Sequence, residues 1–573
     1  MKFFGSYICS MRSFLLVLVL VTASALSPKP TAAADDVASA GRLNFVFILS
    51  DNQSFYEMSC HGHAQIKTPR IDKLAKQSIE FIRFYAPPFC SPSRSVILTG
   101  QYAMRSGVFT TIAGRSIMHR SQVTLADILK RNGYRTGIFG KWHLGFSYPY
   151  RPKDRGFEEV FVHGGGGVGQ MEDFYGNTLF DTTFIHNDKV SPSKGYCTDT
   201  LFDQAMAYVT KHRNKPFFCF VSTPVTHSPH HGPKDLVAKL KTAGVTGDVE
   251  LFAQVQNLDT NIGRMIDKLD ELALAKNTVL IYASDQGMND RGAPHGGNRL
   301  GLAYDPAHHV PFFVRMPGAK PRVVDRLTGM VDFFPTVLDL AGIKPPNKID
   351  GLSLKPLLTG NLNAWPQDRT LIIQCPRSRT ATKWKNASVK TDRWRLTNGD
   401  KLYDINADPR QKKDVAKDHP KVVTQLRARY EAYWADLPDQ STTLSRHLLG
   451  AEQCPEVVLN GMDWYRGASP WNRGAFRGSS NGAWAVTVTR DGRYTIDCYH
   501  YPREAGKPIE VSDQPGRARL KIGEIEKETE IEAGATHARF EIELKAGDYD
   551  LETWLPGPKK KARGALFVYI TRK

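Results

Sequence analysis

The stretch CSPSRSVILTG, Cys90 to Gly100, sets a thiol, a proline and a guanidinium within five residues. Pro92 suits the first turn of a helix, which places Cys90 just ahead of a helix N-terminus, where free backbone N–H groups favour negative charge. Arg94 adds a fixed cation close by. A thiol so placed is expected to have a depressed pKa and to be able to act as a nucleophile in its own right. Other polar residues recur just after apolar runs of β type. Asp51-Asn52 follow LNFVFIL (43–49), Lys141-Trp142-His143 follow TGIFG (136–140), His227 follows FFCFVS (217–222), and Asp285-Gln286 follow TVLIYAS (278–284). In open parallel sheets ligands bind outside the carboxyl ends of the strands, so the four sets are predicted to meet at one site.

The elements that must position these residues alternate between β runs and amphipathic helices from about 43 to 340, the pattern of an α/β fold. Ile71, Leu74, Ala75, Ser78 and Ile82 keep helical spacing. Thr124 can N-cap a helix that Gly133 ends, and Leu258, Ile262, Met265, Ile266 and Leu269 mark another. A smaller α+β segment, 361–440, contains LYDINADPR and a helical stretch from Val422 to Trp434. From 441 to 573 the register changes to short β runs separated by Gly, Pro, Asp and Lys, which reads as a β-sandwich. Its Trp464, Trp471 and Trp484 suit either sugar stacking or core packing, with packing the preferred reading. Domains are thus expected at 35–360, 361–440 and 441–573.

The chain of 573 residues is long enough for two to four compact units of ~150 residues. Its 41% hydrophobic and 23% charged residues fit a globular protein and exclude global disorder, collagen-like repeats and a multi-span membrane protein. Lys2 and Arg12, an apolar run from Phe14, and Ala32-Ala33-Ala34 read as an export signal over 1–34, too short for the ~20 residues of a stable membrane span. Secretion or delivery to a periplasm follows. The formal charge of +18 favours polyanionic partners, and loss of the leader removes Lys2, Arg12 and Lys29 but no acid. The basic PKKKAR run at 558–563 reads as a solvated turn; with an export signal, nuclear targeting and nucleic acid are excluded. Without Cys9 seven cysteines remain, an odd number that singles out Cys90. Cys60, Cys197, Cys219, Cys375, Cys454 and Cys498 are compatible with three disulfides or with buried free thiols.

Cys90-Ser-Pro-Ser-Arg94 followed by Leu98-Thr99-Gly100 resembles the C-x-P-S-R-x-x-x-L-T-G signature of the formylglycine-dependent (type I) sulfatases. GKWHLG (140–145), HGGGGVGQ (163–170), SDQG (284–287), VPFFVRMPG (310–318) and DFFPTVLDLAG (332–342) look like further segments of that family. The resemblance implies an alkaline-phosphatase-like mixed sheet flanked by helices. It also implies that a maturation enzyme oxidises Cys90 to Cα-formylglycine, hydrated to a geminal diol, which accounts for the odd cysteine. Asp51, Asn52, residue 90, Asp285 and Gln286 would hold Ca2+, or else Mg2+; their oxygen donors suit a hard cation. Arg94 and His143 would orient and activate the diol. Lys141 would clamp sulfate, and His227 would bind substrate and protonate the departing alcohol. Arg299 is the nearest candidate for a second sulfate-binding cation, beside His295.

Departures from the family pattern are also visible. Asn52 stands where an Asp is common, Gln286 is neutral, YDPAHH (304–309) replaces a Gly-Gly-x-Arg segment, and His227 stands in THSP. The four glycines after His163 lack the GK[ST] of a P-loop and are expected to form a tight turn near the site. The resulting expectation is a sulfuric-ester hydrolase acting on sulfated carbohydrates. A phosphoester or phosphonate monoester hydrolase on the same fold and a polysaccharide-binding pseudo-sulfatase are the alternatives.

Overall fold

A computed structural model describes residues 41–293, 301–345, 348–510, 516–557 and 561–573. The expected export signal, His295 and Arg299 lie outside the described residues. Gly41–Lys573 form one unit.

Five apolar runs form the centre of a ten-stranded mixed sheet: β1 (Asn44–Ser50), β2 (Arg135–Lys141), β3 (Glu159–His163), β4 (Phe217–Ser222) and β5 (Thr278–Ser284). They lie parallel in the order β5-β1-β4-β2-β3. Every residue of β1, β4 and β5 is buried, as expected for strands covered on both faces. Phe312–Arg315 runs antiparallel beside β5 and continues to Ile79–Phe81 and Arg322–Val324; Thr183–His186 and Lys189–Pro192 add an antiparallel margin beyond β3.

Register decides where the chemistry falls. Ser50 pairs with Ser284, and Ser222 is opposite both Leu49 and Gly140. The strands therefore end nearly level, and Asp51, Lys141 and Asp285 leave the sheet along one edge. Helix α1 (Cys90–Thr99) is buried along its whole length and brings Cys90 to that edge. Helices α2 (Cys197–Lys211) and α3 (Val249–Glu271) cover the opposite face, packing Leu201, Ala205, Leu258, Ile262 and Met265 against Val46, Ile48 and Leu280. Thr124 caps its helix through a reciprocal capping box with Asp127.

The helical spacing at 71–82 overreaches. The helix stops at Lys76, and Ile79–Phe81 is a strand whose alternation buries Ile79 and Phe81 against Phe312–Arg315. Beyond the main sheet, Leu371–Gln374, Ala387–Lys390, Trp394–Thr397 and Lys401–Asp404 form an antiparallel sheet packed by the helix Pro420–Ala435. The last part contains two more sheets around a shared core that includes Trp464, Trp484, Ile496 and Val568. Trp464 and Trp484 are fully buried and meet edge to face, whereas Trp471 is 52% exposed. All seven cysteines of the described residues are free thiols, six of them buried, which decides against the disulfide framework. A core of this size needs no such staples.

Gly140 is where β2 passes closest to β4. Its φ is +115°, and an added Cβ would lie 1.9 Å from the Ser222 carbonyl oxygen. Gly140→Ala is expected to cost about 3 kcal/mol or more, from strain and forced separation of the strands. Urea unfolding measures this, with Gly360→Ala, at an open left-handed helix end, as the milder control.

Candidate functional site

The level strand ends gather four charges with almost no contact with water. Lys141 Nζ donates to Asp51 Oδ2 at 2.6 Å, with both side chains fully buried. Arg94 on α1 donates to Asp285 Oδ2 at 3.1 Å and to the Lys141 carbonyl at 2.9 Å, and also bonds the Ser222 hydroxyl. Ser222 in turn donates to the Lys141 carbonyl at 2.8 Å. Asp285 Oδ1 accepts from the Asn52 backbone N–H at 3.0 Å, which ties the end of β5 to the turn after β1. Asn52 has φ +66°, a conformation that Asn and Asp adopt more readily than other side chains, and its amide oxygen is bonded by Gln286.

Cys90 begins α1 as its first helical residue rather than preceding it. Its Sγ lies 3.5 Å from Asp51 Oδ1, 3.8 Å from Asn52 Oδ1 and 3.9 Å from Gln286 Nε2. Asp51, Cys90 and His227 bring their donor atoms within 4.8 Å of one another. The expected depressed thiol pKa is reversed: burial, followed by the Asp51 carboxylate, pushes Cys90 up, and Lys141 and Arg94 do not compensate. The helix N-terminus and Arg94 were legible in the sequence, but the facing carboxylates come from distant strands.

Burial acts on the neighbours too. It would raise Asp51, yet Lys141, His227 and Arg94 together hold that carboxyl well below the usual range. Asp285 is pushed up to about 7, first by burial and then by Asp51. Burial would lower Lys141, but Asp51, Cys90 and Asp285 together outweigh it and the net shift is upward. Two buried carboxylates, one raising the other, beside the amides of Asn52 and Gln286 offer only hard donors, so the set fits Ca2+ or Mg2+.

His143 sits just beyond β2 with φ +60°. Its Nε2 faces the Thr111 carbonyl at 3.4 Å, and its Nδ1 is buried with no partner. A carbonyl only accepts, so Nε2 carries the proton and Nδ1 the lone pair. Burial, then Lys141 and Arg94, keeps His143 neutral, far below its ordinary pKa. His227 Nδ1 meets the Ser228 carbonyl at 2.6 Å, which leaves Nε2 as its free nitrogen; burial lowers its pKa. The glycine-rich turn packs on both rings. A Cβ on Gly166 would lie 2.5 Å from His143 Cε1, and one on Gly167 would lie 3.4 Å from His227 Nδ1. Asp173 holds this turn by accepting from the N–H groups of Gly164 and Gly169 at 3.0 and 2.6 Å.

Three supports were not singled out by the sequence. They are the Ser222 hydroxyl, the Thr111 carbonyl, and Arg291, which bonds the Asn52 carbonyl at 2.9 Å, Thr226 Oγ1 at 3.3 Å and the buried Glu57. Only Ser222, at a strand end, could have been suspected. The YDPAHH segment forms its own network: Asp305 pairs with Lys390 and with Arg395 at 2.8 Å, and His309 Nε2 bonds the Ile82 carbonyl at 2.9 Å.

Residues 43–343 match the family model described as Sulfatase, and residues 296–435 match one described as N-sulphoglucosamine sulphohydrolase, C-terminal. An N-acetylgalactosamine-6-O-sulfatase of Bacteroides thetaiotaomicron is 28% identical over 486 residues, which span 68% of this chain and 93% of that protein. A solved structure titled Ps i-CgsB in complex with k-i-k-neocarrahexaose superposes with a TM-score of 0.63 at 23% identity, covering 71% of this chain and 95% of that one. The phosphonate monoester hydrolase of Agrobacterium radiobacter shares the fold at a TM-score of 0.51 and 21% identity, covering 69% and 96%. The Sulfatase match takes in β1 to β5, α1 and every charge gathered at their ends, more than half of the sequence, and on that match the chain belongs to the sulfatase family, as a sulfuric-ester hydrolase of alkaline-phosphatase-like fold.

Proposed function

We propose that the protein is an exported sulfatase that hydrolyses sulfate esters of carbohydrates at residue 90. The observation that carries this reading is the convergence of Cys90, Asp51, Asn52, Asp285, Gln286, Lys141, His143 and His227 on one sheet edge. Oxidised by a maturation enzyme to Cα-formylglycine and hydrated, residue 90 supplies an oxygen nucleophile for sulfur, while Ca2+ (Mg2+ second) among Asp51, Asn52, Asp285 and Gln286 supplies positive charge beside it. The saccharide class is supported by the relative named for N-acetylgalactosamine-6-O-sulfate and by the basic composition. Export is supported by the sequence of 1–34. Among the described residues no helix is long and apolar enough to cross a membrane.

The side chains divide the work by protonation state. Lys141 remains an ammonium; one N–H is used by Asp51, and the others are available to a sulfate oxygen. Neutral His143 accepts at Nδ1 the proton lost from the hydroxyl of residue 90. His227, once protonated at Nε2, gives that proton to the alcohol oxygen as its bond to sulfur breaks; the second hydroxyl of residue 90 then loses its proton and re-forms the aldehyde as the C–O bond to the sulfate breaks and sulfate leaves. Arg94 acts as a positioning residue, since its guanidinium is engaged by Asp285, Ser222 and the Lys141 carbonyl. The second sulfate-binding cation is assigned to Arg299 on sequence position alone.

Turnover of an aryl sulfate and of the matching phenylphosphonate monoester tests the reading. The expected result is a sulfate preference in kcat/KM and a loss of at least about 10^4-fold in Cys90→Ala. A phosphonate preference would instead favour the alternative hydrolase. Lys141→Met leaves Asp51 buried without its partner and is expected to lose about 3–5 kcal/mol of stability as well as activity. In urea unfolding of the Asp51→Asn/Lys141→Met pair, the loss should be smaller than the sum of the single losses.

A further inference from the structure

A cavity of about 590 Å3 opens at the seam between the α/β part and the C-terminal sheets, lined by Arg115, His119, Arg120 and Tyr150 on one side and by Arg446 and Asp548 on the other. Its charge is lopsided. Among the described residues Asp548 is the only acid in the lining, and it pairs with Arg446 at 3.3 Å. Arg115 is 5% exposed; its guanidinium lies over the Phe109 ring, 5.1 Å from its centre, and its hydrogen bonds go to carbonyls, Arg379 at 3.0 Å, Thr443 at 2.5 Å and Thr442 at 2.6 Å. With no carboxylate beside it, burial draws its pKa down to about 10. Arg120 is exposed and has no ion pair among those of the described residues. The pKa of His119 is lowered, first by burial and then by Arg120 and Arg155.

The wall is built rather than incidental. Arg155 donates to the carbonyls of His119, Arg120 and Gln122 at 3.2, 3.3 and 2.8 Å, which fixes the backbone that presents Arg120. Arg115 staples the same stretch to Thr442 and Thr443 across the seam. Two guanidinium groups without a carboxylate partner therefore face one preformed void, and for the buried Arg115 this is costly unless an anion completes it. Guanidinium matches sulfate through paired N–H donors, and the volume lies within the range of saccharide-sized sites. The segment that forms this wall runs back to Thr111, whose carbonyl faces the His143 ring.

We propose that this seam cavity is a second, non-catalytic site that binds a sulfate group of a sulfated saccharide. The proposal rests on the carbohydrate reading above and extends it to sugar units away from the ester being cleaved. Arg120 is exposed and outside the catalytic machinery, so Arg120→Ala should fold and should keep the parent kcat/KM on a small aryl sulfate.

The experiment is isothermal titration of the full chain, held inactive by Cys90→Ala, with a sulfated galactan tetrasaccharide, its desulfated counterpart and sodium sulfate. Adding Arg120→Ala is expected to weaken the sulfated tetrasaccharide about tenfold, the effect of one charge-assisted contact, and Arg120→Lys to weaken it less. The desulfated sugar should bind far more weakly than the sulfated one. Unchanged affinity in Arg120→Ala, equal binding of the desulfated sugar, or sodium sulfate binding as tightly as the tetrasaccharide would each overturn the proposal. A parent enzyme that left aryl and saccharide sulfates intact would count against the functional reading alone, because the titration needs no turnover.

Discussion

Two interlocked ion pairs, Lys141 with Asp51 and Arg94 with Asp285, set the terms for the rest of the site. Removing four charges from water costs several kcal/mol per ion, and such pairs seldom repay it in stability. They persist because the sheet supplies nearly level strand ends and α1 supplies Arg94 from across the edge. Each cation is held by an anion from a different strand, so no local rearrangement relieves the cost, and the charges stay aimed at the same small volume. Preorganised charge of this kind assists catalysis because no solvent has to reorganise as charge develops.

The neutral side chains at 52 and 286 belong to the same balance. Asp51 and Asp285 are already matched by Lys141 and Arg94, so the described cluster is formally neutral before any cation enters. Carboxylates at 52 or 286 would add uncompensated negative charge to a dry site. With amides there, oxygen donors remain while that repulsion is avoided. The weaker attraction for a dication is the corresponding cost, and Asp285, already raised by burial and then by Asp51, is the group whose charge a bound cation would most directly restore.

Much of this was legible in the sequence because apolar runs and strand-end polar residues are local signals. The runs at 43–49, 136–140, 217–222 and 278–284 correspond to β1, β2, β4 and β5 within a residue or so, and the polar sets following them do converge. The motif around Cys90 located the helix. The thiol's environment was not legible, because Asp51 and Asn52 approach it from nearly 40 residues away, and helix-terminus reasoning sees only the near cation. Short strands such as Ile79–Phe81 escaped because three residues are too few to separate period 2 from period 3.6. Thr111 was invisible for a different reason: it acts through a carbonyl, and every residue has one.

The C-terminal sheets lie beyond the last family match at residue 435, yet they touch the loops that complete the active edge. Met171 belongs to their core, and Ile112, Tyr148 and Tyr175 pack against it. The Met462 carbonyl accepts from Ala113 at 2.8 Å, two residues beyond the Thr111 carbonyl opposite His143. Asn460 donates to Glu172, which adjoins the Asp173 that holds the glycine turn over both histidines. The parallel sheet thus fixes the charges, while the added sheets fix the loops around them, and these two constraints act on different residues. Loops can change with substrate without disturbing the buried pairs, which is how one charged edge can serve esters of differently shaped alcohols.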